Sequence, residues 1–386
     1  MAEPRRIYPV LAFLAFASVI DTALVSPILT NYAHSLGASE AIAGFIVGLY
    51  SIIAIIVSFP LGYLIDRLGR KNAILIAVPG DIIAFVIYFL APNYTYLIIA
   101  RIINAFFDAI IFPTALAFIG DQFARRGYPL SIFYTLVSLS IIVGAGSSSV
   151  ITLSQGFRYV FIVSIVIHVI LFSLVYFTAF KDIKRAKIGD SIKQVRANLR
   201  FLISASLTMF SIYMFIGTIA GSLGNALRIV LNIADQIAAA QVGIFLAITS
   251  LIGIPFFFMT SYICEKKTPL LTLFSASLIG LIASIALFEN IYSYLYVVAP
   301  LLGIALAMAY LSSSYVVTSV GGEGRGTASG ILQIFNLSGV ALGASISGYI
   351  LNLWGPSYPF ILPAIPLSIS ALLALFIMLA QRSRLE

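Results

Sequence analysis

The chain has 386 residues and a formal net charge of +8, yet only 9% of its residues are charged while 61% are hydrophobic. Soluble globular chains carry about 25% charged residues, so this composition excludes a water-soluble domain and indicates a membrane protein, as does a mean hydropathy of +1.08. The basic residues stand in short loops between apolar runs, which excludes a nucleic-acid-binding surface. The one cysteine, Cys264, excludes an internal disulfide and a cysteine metal site.

Long apolar runs divide the chain into segments of the length that crosses a bilayer. A transmembrane helix needs about 20 apolar residues, and twelve such runs with short loops fill the sequence. We therefore predict an all-α membrane protein with twelve transmembrane helices. The spans are predicted near residues 8–32, 40–63, 72–91, 95–119, 130–153, 158–180, 200–221, 238–262, 269–288, 292–317, 327–352 and 358–380.

The distribution of lysine and arginine predicts the orientation. With the N-terminus inside, nineteen of these residues fall in the inner loops and at the two termini, while only Arg158 and Arg228 fall in the outer loops. The positive-inside rule therefore predicts a multi-pass protein of the cell membrane with both termini in the cytoplasm.

A basic cytoplasmic segment at residues 181–199 is the natural boundary between two halves. We expect an N-terminal six-helix bundle at residues 1–180 and a C-terminal six-helix bundle at residues 200–386. Two interpretations of the segment stay open. It is either an interfacial helix that tethers the halves to anionic lipid, or a solvated linker whose charges only set the topology.

The two halves resemble each other at one constant offset. A shift of 199 residues matches similar residues at several separated places, which indicates an internal repeat. It predicts two pseudo-symmetric six-helix bundles, the architecture of a transporter that rocks one bundle against the other. The matching positions are Tyr63 with Tyr262, Asp66 with Glu265, Arg67 with Lys266, Arg126-Gly127 with Arg325-Gly326, and Gly144-Ala145 with Gly343-Ala344.

Ionisable residues inside the predicted spans are the first candidates for function, because a charge at the bilayer centre costs about 2.5–3.5 kcal/mol on insertion scales. Arg101 and Asp108 lie seven residues apart on one face of span 4, and Asp21 lies in span 1 at a depth between them. Burial favours the neutral form of a carboxyl group and a nearby arginine favours its charged form. We therefore predict proton coupling through these three residues; a static buried ion pair is the alternative.

Structural roles are favoured for two further ionisable residues of the spans, Asp81 and His168, and a third, His34, lies in a loop. Asp81 follows Pro79-Gly80 in span 3, where we expect it to satisfy backbone groups that the kink leaves free or to pair with span 4. His168, a lone histidine in span 6, is expected to be a hydrogen-bonded core residue, with a proton relay as the alternative. His34 lies in an outer loop and is expected to be inert.

The loop between spans 2 and 3 carries the pattern G-x-x-x-D-R-x-G-R-K over residues 62–71. All ten positions resemble the signature loop of the major facilitator superfamily of secondary transporters. The resemblance implies that Asp66 faces the N-terminus of span 11 near Gly326 and locks the inner gate, where the helix dipole favours a carboxylate. A loop that only sets topology is the alternative. The implied gating residues are Gly62, Asp66, Arg67, Gly69, Arg70, Lys71 and Arg325.

Spans 1 and 4 resemble the 12-helix drug:proton antiporter branch of this superfamily. Asp21, the proline six residues later and the ending Tyr-Ala-x-x-Leu-Gly match the first helix and outer loop of that branch. The sequence Arg101-x-x-Asn104-Ala105 is similar to its R-x-x-Q-G motif, whose arginine is tied to proton transfer. Span 5 departs from the branch, because residues 144–149 contain no proline where G-P-x-x-G-G is expected, and this weakens the assignment of export.

An aromatic cavity between the bundles is expected to bind the substrate, lined by spans 1, 4, 7 and 10 with help from spans 2, 5, 8 and 11. An aromatic wall with few polar groups suits a lipophilic, cationic substrate through apolar burial and cation–π contact. Ordinary core packing is the alternative for each residue. The candidates are Tyr50, Asn104, Tyr134, Tyr213, Tyr310, Tyr315, Gln333 and Asn336.

Together these patterns predict a proton-coupled transporter that works by alternating access and exports lipophilic or cationic small molecules in exchange for protons. The alternatives are a proton symporter or uniporter for a small metabolite such as a sugar or organic anion and, from another class, a membrane scaffold or sensor that does not transport. No nucleophile–base or metal-ligand spacing occurs in the sequence, so we expect no enzyme, metal or cofactor, with protons as the coupling ion. The expected partners are the small-molecule substrate and membrane lipid, without nucleic acid, and the chain is expected to act as a monomer.

Overall fold

The computed structural model describes residues 4–68, 70–122, 127–178, 198–266, 268–319 and 324–382. Over these residues the regular structure is helical, and twelve helices are long and apolar enough to cross a membrane. The predicted fold class is therefore confirmed. In span order the helices are Pro4–Val25 with Leu29–Ser35, Glu40–Leu68, Arg70–Leu90, Tyr94–Gln122, Gly127–Gln155, Arg158–Phe177, Leu199–Thr218 continued by Ile219–Leu223 and Gly224–Leu231, Asp235–Lys266, Pro269–Glu289, Ile291–Ser319, Gly324–Trp354, and Tyr358–Ile361 with Ala364–Arg382.

We call the side that the charge distribution predicts to face outward the outer side. Span 1 is broken near its outer end, where the sequence predicted one helix over residues 8–32. A turn at residues 26–28 separates Pro4–Val25 from Leu29–Ser35. Pro27 explains the break, because proline has no backbone N–H and its ring clashes with the carbonyl one turn before it. The short second helix brings polar side chains of span 1 to the outer face.

Span 7 continues to Leu231, beyond residue 221 where the sequence predicted its end. A π-helical turn at Ile219–Leu223 joins its two α-helical parts. The helix ends at Asn232, whose φ of 52° is left-handed, a conformation that asparagine tolerates better than most residues. Arg228, predicted in a loop, therefore lies on the last turn of span 7.

The two halves pack together along two pairs of helices. Span 2 packs against span 11 and span 5 against span 8, and the outer ends of spans 1, 7 and 8 add contacts across the outer face. A hydrophobic cluster beneath that face contains residues from both halves, among them Tyr88 of span 3 and Ala239 of span 8. The outer side of the molecule is therefore closed.

Glycines let spans 2, 7 and 11 approach closely in this outer half. A Cβ atom at Gly221 would lie 2.6 Å from the Cα atom of Ala344, and one at Gly348 would lie 2.6 Å from the carbonyl oxygen of Glu40. Those neighbours are backbone atoms, which cannot move aside as a flexible side chain can. Small residues of this kind are typical of membrane helix interfaces, and here they hold spans from both halves together.

The division into bundles at residues 1–180 and 200–386 stays a prediction. The basic linker between them falls mostly on residues 179–197, which lie outside the described part of the chain. Both interpretations of that linker therefore stay predictions as well.

Candidate functional site

A polar cluster lies buried in the first half, where spans 1, 3 and 4 meet. The side-chain amide nitrogen of Asn104 donates to Asp81 Oδ1 at 3.0 Å and to Asp21 Oδ2 at 3.4 Å. The carbonyl oxygen of the same amide accepts a hydrogen bond from Arg101 Nη1 at 3.4 Å. Asn104 thus uses both of its N–H groups and its oxygen to join charged side chains from three helices.

Arg101 lies between this amide and span 2. Its Nη2 donates to the carbonyl oxygen of Val47 at 3.3 Å, and its guanidinium carbon lies 4.7 Å from the centroid of the Tyr50 ring, a cation–π distance. Tyr50 in turn donates its hydroxyl to Asp108. Among the described residues, no ion pair joins Arg101 to a carboxylate. The predicted coupling residues are therefore brought together through Asn104 and Tyr50, without a direct ion pair.

The formal charges of this cluster do not balance. Asp21, Asp81, Asp108 and Arg101 are each at most 4% exposed, so three buried carboxyl groups share one guanidinium. If all four were ionised, two negative charges would remain uncompensated in a region where a buried charge costs several kcal/mol. Asp21 Oδ1 and Asp81 Oδ2 are buried and have no hydrogen-bond partner in the described part of the chain. The cluster therefore contains more buried acidic groups than its one guanidinium can compensate.

Two residues assigned structural roles can now be placed. Asp81 was expected either to satisfy free backbone groups or to pair with span 4, and it accepts a hydrogen bond from Asn104 of span 4. It therefore belongs to the charged cluster. The Nδ1 atom of His168 lies 2.8 Å from the carbonyl oxygen of Ser164, and its ring centroid lies 5.0 Å from that of Phe85. Its Nε2 atom is buried and has no hydrogen-bond partner in the described part of the chain, so the choice between a core residue and a proton relay stays open.

An aromatic cluster joins spans 5, 7, 8 and 10. The rings of Tyr134 and Tyr310 lie 5.1 Å apart between centroids, and Tyr134 also stacks on Phe257 at 5.6 Å. Tyr213 and Tyr310 share a hydrogen bond between their hydroxyls, and Tyr134 shares one of 2.7 Å with Ser314. Three of the predicted cavity tyrosines therefore lie together at the boundary between the halves.

The other predicted cavity residues are distributed differently. Tyr50 and Asn104 take part in the charged cluster of the first half. Tyr315 and Gln333 are half-buried on spans 10 and 11. Asn336 is buried on span 11, and its Oδ1 atom has no hydrogen-bond partner within the described chain. A role for any of them in substrate binding stays a prediction.

Most of the predicted gating residues lie outside what the structure describes. Gly69 is not described, and only the helical backbone is described at Gly62, Asp66, Arg67, Arg70 and Arg325. Lys71 is the exception, because its ammonium group donates to the carbonyl oxygens of Tyr176 at 2.7 Å and Thr178 at 2.8 Å. A cation there satisfies the free carbonyls at the C-terminus of span 6. The inner lock between Asp66 and span 11 stays a prediction.

A charged network closes the outer face between the halves. Arg228 of span 7 donates to Glu40 at the start of span 2, and its Nε lies 3.5 Å from Asp235 Oδ1 at the start of span 8. Asn225 adds a hydrogen bond of 2.6 Å to Glu40 Oε2. These contacts tie an acidic residue of the first half to residues of the second half.

Span 1 completes this network from the first half. Asn31 donates to Asp235 Oδ1 at 3.1 Å, and the Nδ1 atom of His34 lies 3.0 Å from Asp235 Oδ2. The Nε2 atom of His34 lies 3.9 Å from Glu40 Oε1. We call the set Asn31, His34, Glu40, Asn225, Arg228 and Asp235 the outer latch.

The outer latch was missed from the sequence, and His34 was expected to be inert. Its members come from short outer segments roughly 200 residues apart, so no local pattern joins them. One signal was available: an acid at the outer start of span 2 and a lone arginine on the outer side of span 7 have opposite charges in opposite halves.

A family model described as Major Facilitator Superfamily matches residues 11–309, which is most of the chain. The chain belongs to the major facilitator superfamily. Its family is one of membrane transporters and not of enzymes. The twelve apolar helices in the described part of the chain make it a multi-pass membrane protein.

Curated relatives align with less than half of this transporter. It is 28% identical over 181 residues to the uncharacterized MFS-type transporter YbcL of Bacillus subtilis, an alignment that covers 46% of each chain. It is 28% identical over 136 residues to Multidrug resistance protein 1 of the same organism, covering 35% of this chain and 34% of that protein. The chain thus spans about half or less of the length of the curated relatives it matches.

Two solved structures share the fold over nearly the whole transporter. A bacterial homologue of the human lysosomal transporter Spinster, in an inward-facing and unoccupied conformation, matches with a TM-score of 0.73 and 17% identity over 97% of both chains. The human organic anion transporter MFSD10 (TETRAN) matches with a TM-score of 0.71 and 15% identity over 96% of this chain and 100% of that one. At these identities the likeness shows the fold alone.

Proposed function

We propose that this transporter is a proton-coupled antiporter that exports lipophilic cations in exchange for protons. The observation that carries the proposal is the buried cluster of Asp21, Asp81, Asp108 and Arg101. Three carboxyl groups that share one guanidinium favour either bound protons or a cation in their place. Competition between the two for one site is the physical requirement of antiport.

A substrate can act on this cluster through its contact with Tyr50. Its ring faces the Arg101 guanidinium and its hydroxyl donates to Asp108. A lipophilic cation that stacks on Tyr50 competes with Arg101 for the face of the ring. The aromatic cluster around Tyr134 and Tyr310 supplies further apolar surface for such a molecule.

The names of two relatives support the substrate class. Multidrug resistance protein 1 and Multidrug resistance protein 2, both of Bacillus subtilis, are among the proteins to which the chain is similar. Their alignments cover 35% and 39% of this chain, so export of drug-like molecules is proposed here and rests on the cluster first.

In the proposed cycle the closed outer latch is one of two end states. With the outer face closed, the substrate reaches the site from the cytoplasm; when the latch opens, the substrate leaves and protons enter from outside. The inner lock predicted around Asp66 would then close the opposite face. The same proposal places a monomeric protein in the cell membrane with both termini in the cytoplasm.

The proposal is tested with purified protein in proteoliposomes that contain a pH-sensitive dye. Tetraphenylphosphonium, ethidium, a set of sugars and a set of organic acids are added in turn under an imposed proton gradient. Wild type is compared with Asp21→Asn and with Glu289→Gln, a matched change of an exposed carboxyl group at the outer end of span 9.

We expect the lipophilic cations to drive protons in the opposite direction, with loss of this movement in Asp21→Asn and no change in Glu289→Gln. Proton movement in the same direction as a sugar or an acid would replace antiport by symport. Substrate transport without proton movement would show uniport. If none of the probes crosses the membrane and the proton gradient is unaffected, the proposed function is wrong.

A further inference from the structure

Asp81 on span 3 shares its hydrogen-bond donor with Asp21, although Asp21 was predicted to take part in proton coupling and Asp81 was not. Both carboxyl groups accept from the amide nitrogen of Asn104, Asp81 at 3.0 Å and Asp21 at 3.4 Å. Each also has a second oxygen that is buried and lacks a hydrogen-bond partner in the described chain. Since Asp81 is the closer of the two to the shared donor, nothing in the geometry favours Asp21 as the only proton carrier.

The amide of Asn104 gives one N–H group to each carboxyl group, and the two bonds are unequal, 3.0 Å to Asp81 and 3.4 Å to Asp21. A charged acceptor forms a stronger hydrogen bond than a neutral one, so the amide stabilises whichever carboxyl group is ionised. Its oxygen is already engaged by Arg101. Two carboxyl groups held by the same amide also repel each other when both are charged, which favours one proton between them.

Asp108 is arranged differently. It receives its hydrogen bond from the hydroxyl of Tyr50 and takes no bond from the Asn104 amide, whose two N–H groups are used by Asp21 and Asp81. The cluster therefore contains a pair of carboxyl groups on one donor and a third with a donor of its own.

We propose that Asp81 and Asp21 form a two-carboxyl proton site that holds one exchangeable proton, with Asn104 as the positioning residue that couples them. When one carboxyl group is ionised it takes the stronger hydrogen bond from the amide, and the other keeps the proton. A substrate cation that approaches the pair replaces that proton, which leaves through water. This inference rests on the proposed function for its place in a transport cycle, but the shared site itself can be tested without a substrate.

The first test is an infrared titration of the purified full-length protein in lipid, which follows the C=O band of protonated carboxyl groups as the pH is raised. We expect a component of that band in wild type that decreases in both Asp21→Asn and Asp81→Asn. Removal of either carboxyl group is also expected to change the pH range over which the other one titrates. Glu289→Gln, far from the cluster at the outer end of span 9, should leave this component unchanged.

A second variant keeps the test decisive if Asp81→Asn does not fold. Asp81→Glu retains the carboxyl group but moves it by one methylene, so the component is expected to persist with a changed pH range. If the titration of wild type is reproduced in both Asp81 variants, or if Asp21→Asn titrates as wild type does, the shared site is refuted.

Transport then separates this inference from the proposed function. With a probe that drives protons in wild type, Asp81→Asn should lower proton-driven accumulation by about tenfold or more while substrate-for-substrate exchange without a gradient is retained, as expected when a proton site and not the fold is lost. Equal loss of both modes would make Asp81 structural. If Asp81→Asn transports protons as wild type does, the inference is refuted and the proposed function is left intact. If wild type itself transports no protons, the proposed function alone is refuted.

Discussion

The arginine of the outer latch offers a direct test of what holds the outer face closed. Arg228 bonds Glu40 and lies 3.5 Å from Asp235. In Arg228→Ala these two carboxylates, which come from opposite halves, would face each other without the cation between them. We therefore expect the variant to raise the population of the outward-open state, in which the two carboxylates separate and are hydrated.

The exposure of these side chains sets the magnitude. Arg228, Glu40 and Asp235 are 23%, 14% and 19% exposed, so water screens the network only in part. Truncating one partner of a buried charge pair costs about 2–5 kcal/mol, whereas an exposed pair is worth at most about 1 kcal/mol. An intermediate site gives about 1–2 kcal/mol, which raises the ratio of open to closed molecules by about 5–30-fold.

Cysteine labelling from outside measures this ratio. The single cysteine is first removed as Cys264→Ser, and a reporter is introduced as Ala239→Cys, a fully buried position of span 8 in the hydrophobic cluster shared by both halves. A membrane-impermeant thiol reagent reaches the reporter only when the outer face opens. While the open state is rare, the labelling rate is proportional to its population.

Arg158→Ala is the matched control. Arg158 is also an arginine at the outer face, but its guanidinium donates to the carbonyl oxygen of Ala91 at 2.8 Å, within the first half. Faster labelling in Arg228→Ala alone is the expected result. An unchanged rate in Arg228→Ala would refute the reasoning about the latch, and an equal increase in both variants would show general loosening of the outer face.

Two further outcomes are expected. Gly221→Ala should destabilise the closed outer face by about 1–3 kcal/mol and so speed reporter labelling, because the added Cβ would meet the backbone of span 11. Gly146→Ala is the control, since a Cβ there meets nothing within 4 Å, and it should leave the labelling rate unchanged. Tyr50→Phe should lower proton-coupled transport in proteoliposomes by about 10–150-fold, since a hydrogen bond to a charged group contributes about 1.5–3 kcal/mol. Tyr349→Phe on the exposed face of span 11 is its control, and equal activity of both variants would contradict this prediction.

The fold could be predicted because each membrane span is recognisable from its own local sequence. Apolar runs of bilayer length fix the number of helices, and no tertiary contact is needed to recognise them. The errors lie where local geometry departs from a regular helix. Pro27 breaks span 1, and the π-helical turn at Ile219–Leu223 extends span 7 past the predicted end.

The site could be predicted only along single helices. Periodicity correctly placed Arg101, Asn104 and Asp108 on one face of span 4. The partners on other helices, Tyr50 and Asp81, depend on how spans 2 and 3 are rotated against span 4, and an apolar run surrounded by lipid and protein carries little information about rotation. The same holds for the outer latch, whose contacts join residues far apart in the chain.

The π-helical turn of span 7 has a consequence for which side of the helix faces the first half. Each residue of an α-helix advances about 100° around the axis, and a π-helical turn holds one residue more than an α-helical turn. The segment Gly224–Leu231 is therefore set back by about 100° relative to an uninterrupted α-helix. This offset directs Asn225 and Arg228 at Glu40 while Gly221, within the turn, packs on span 11. Span 7 can thus contact two neighbours on different sides. Deletion of one residue from the turn would rotate Arg228 away from Glu40, although every residue of the outer latch would be unchanged.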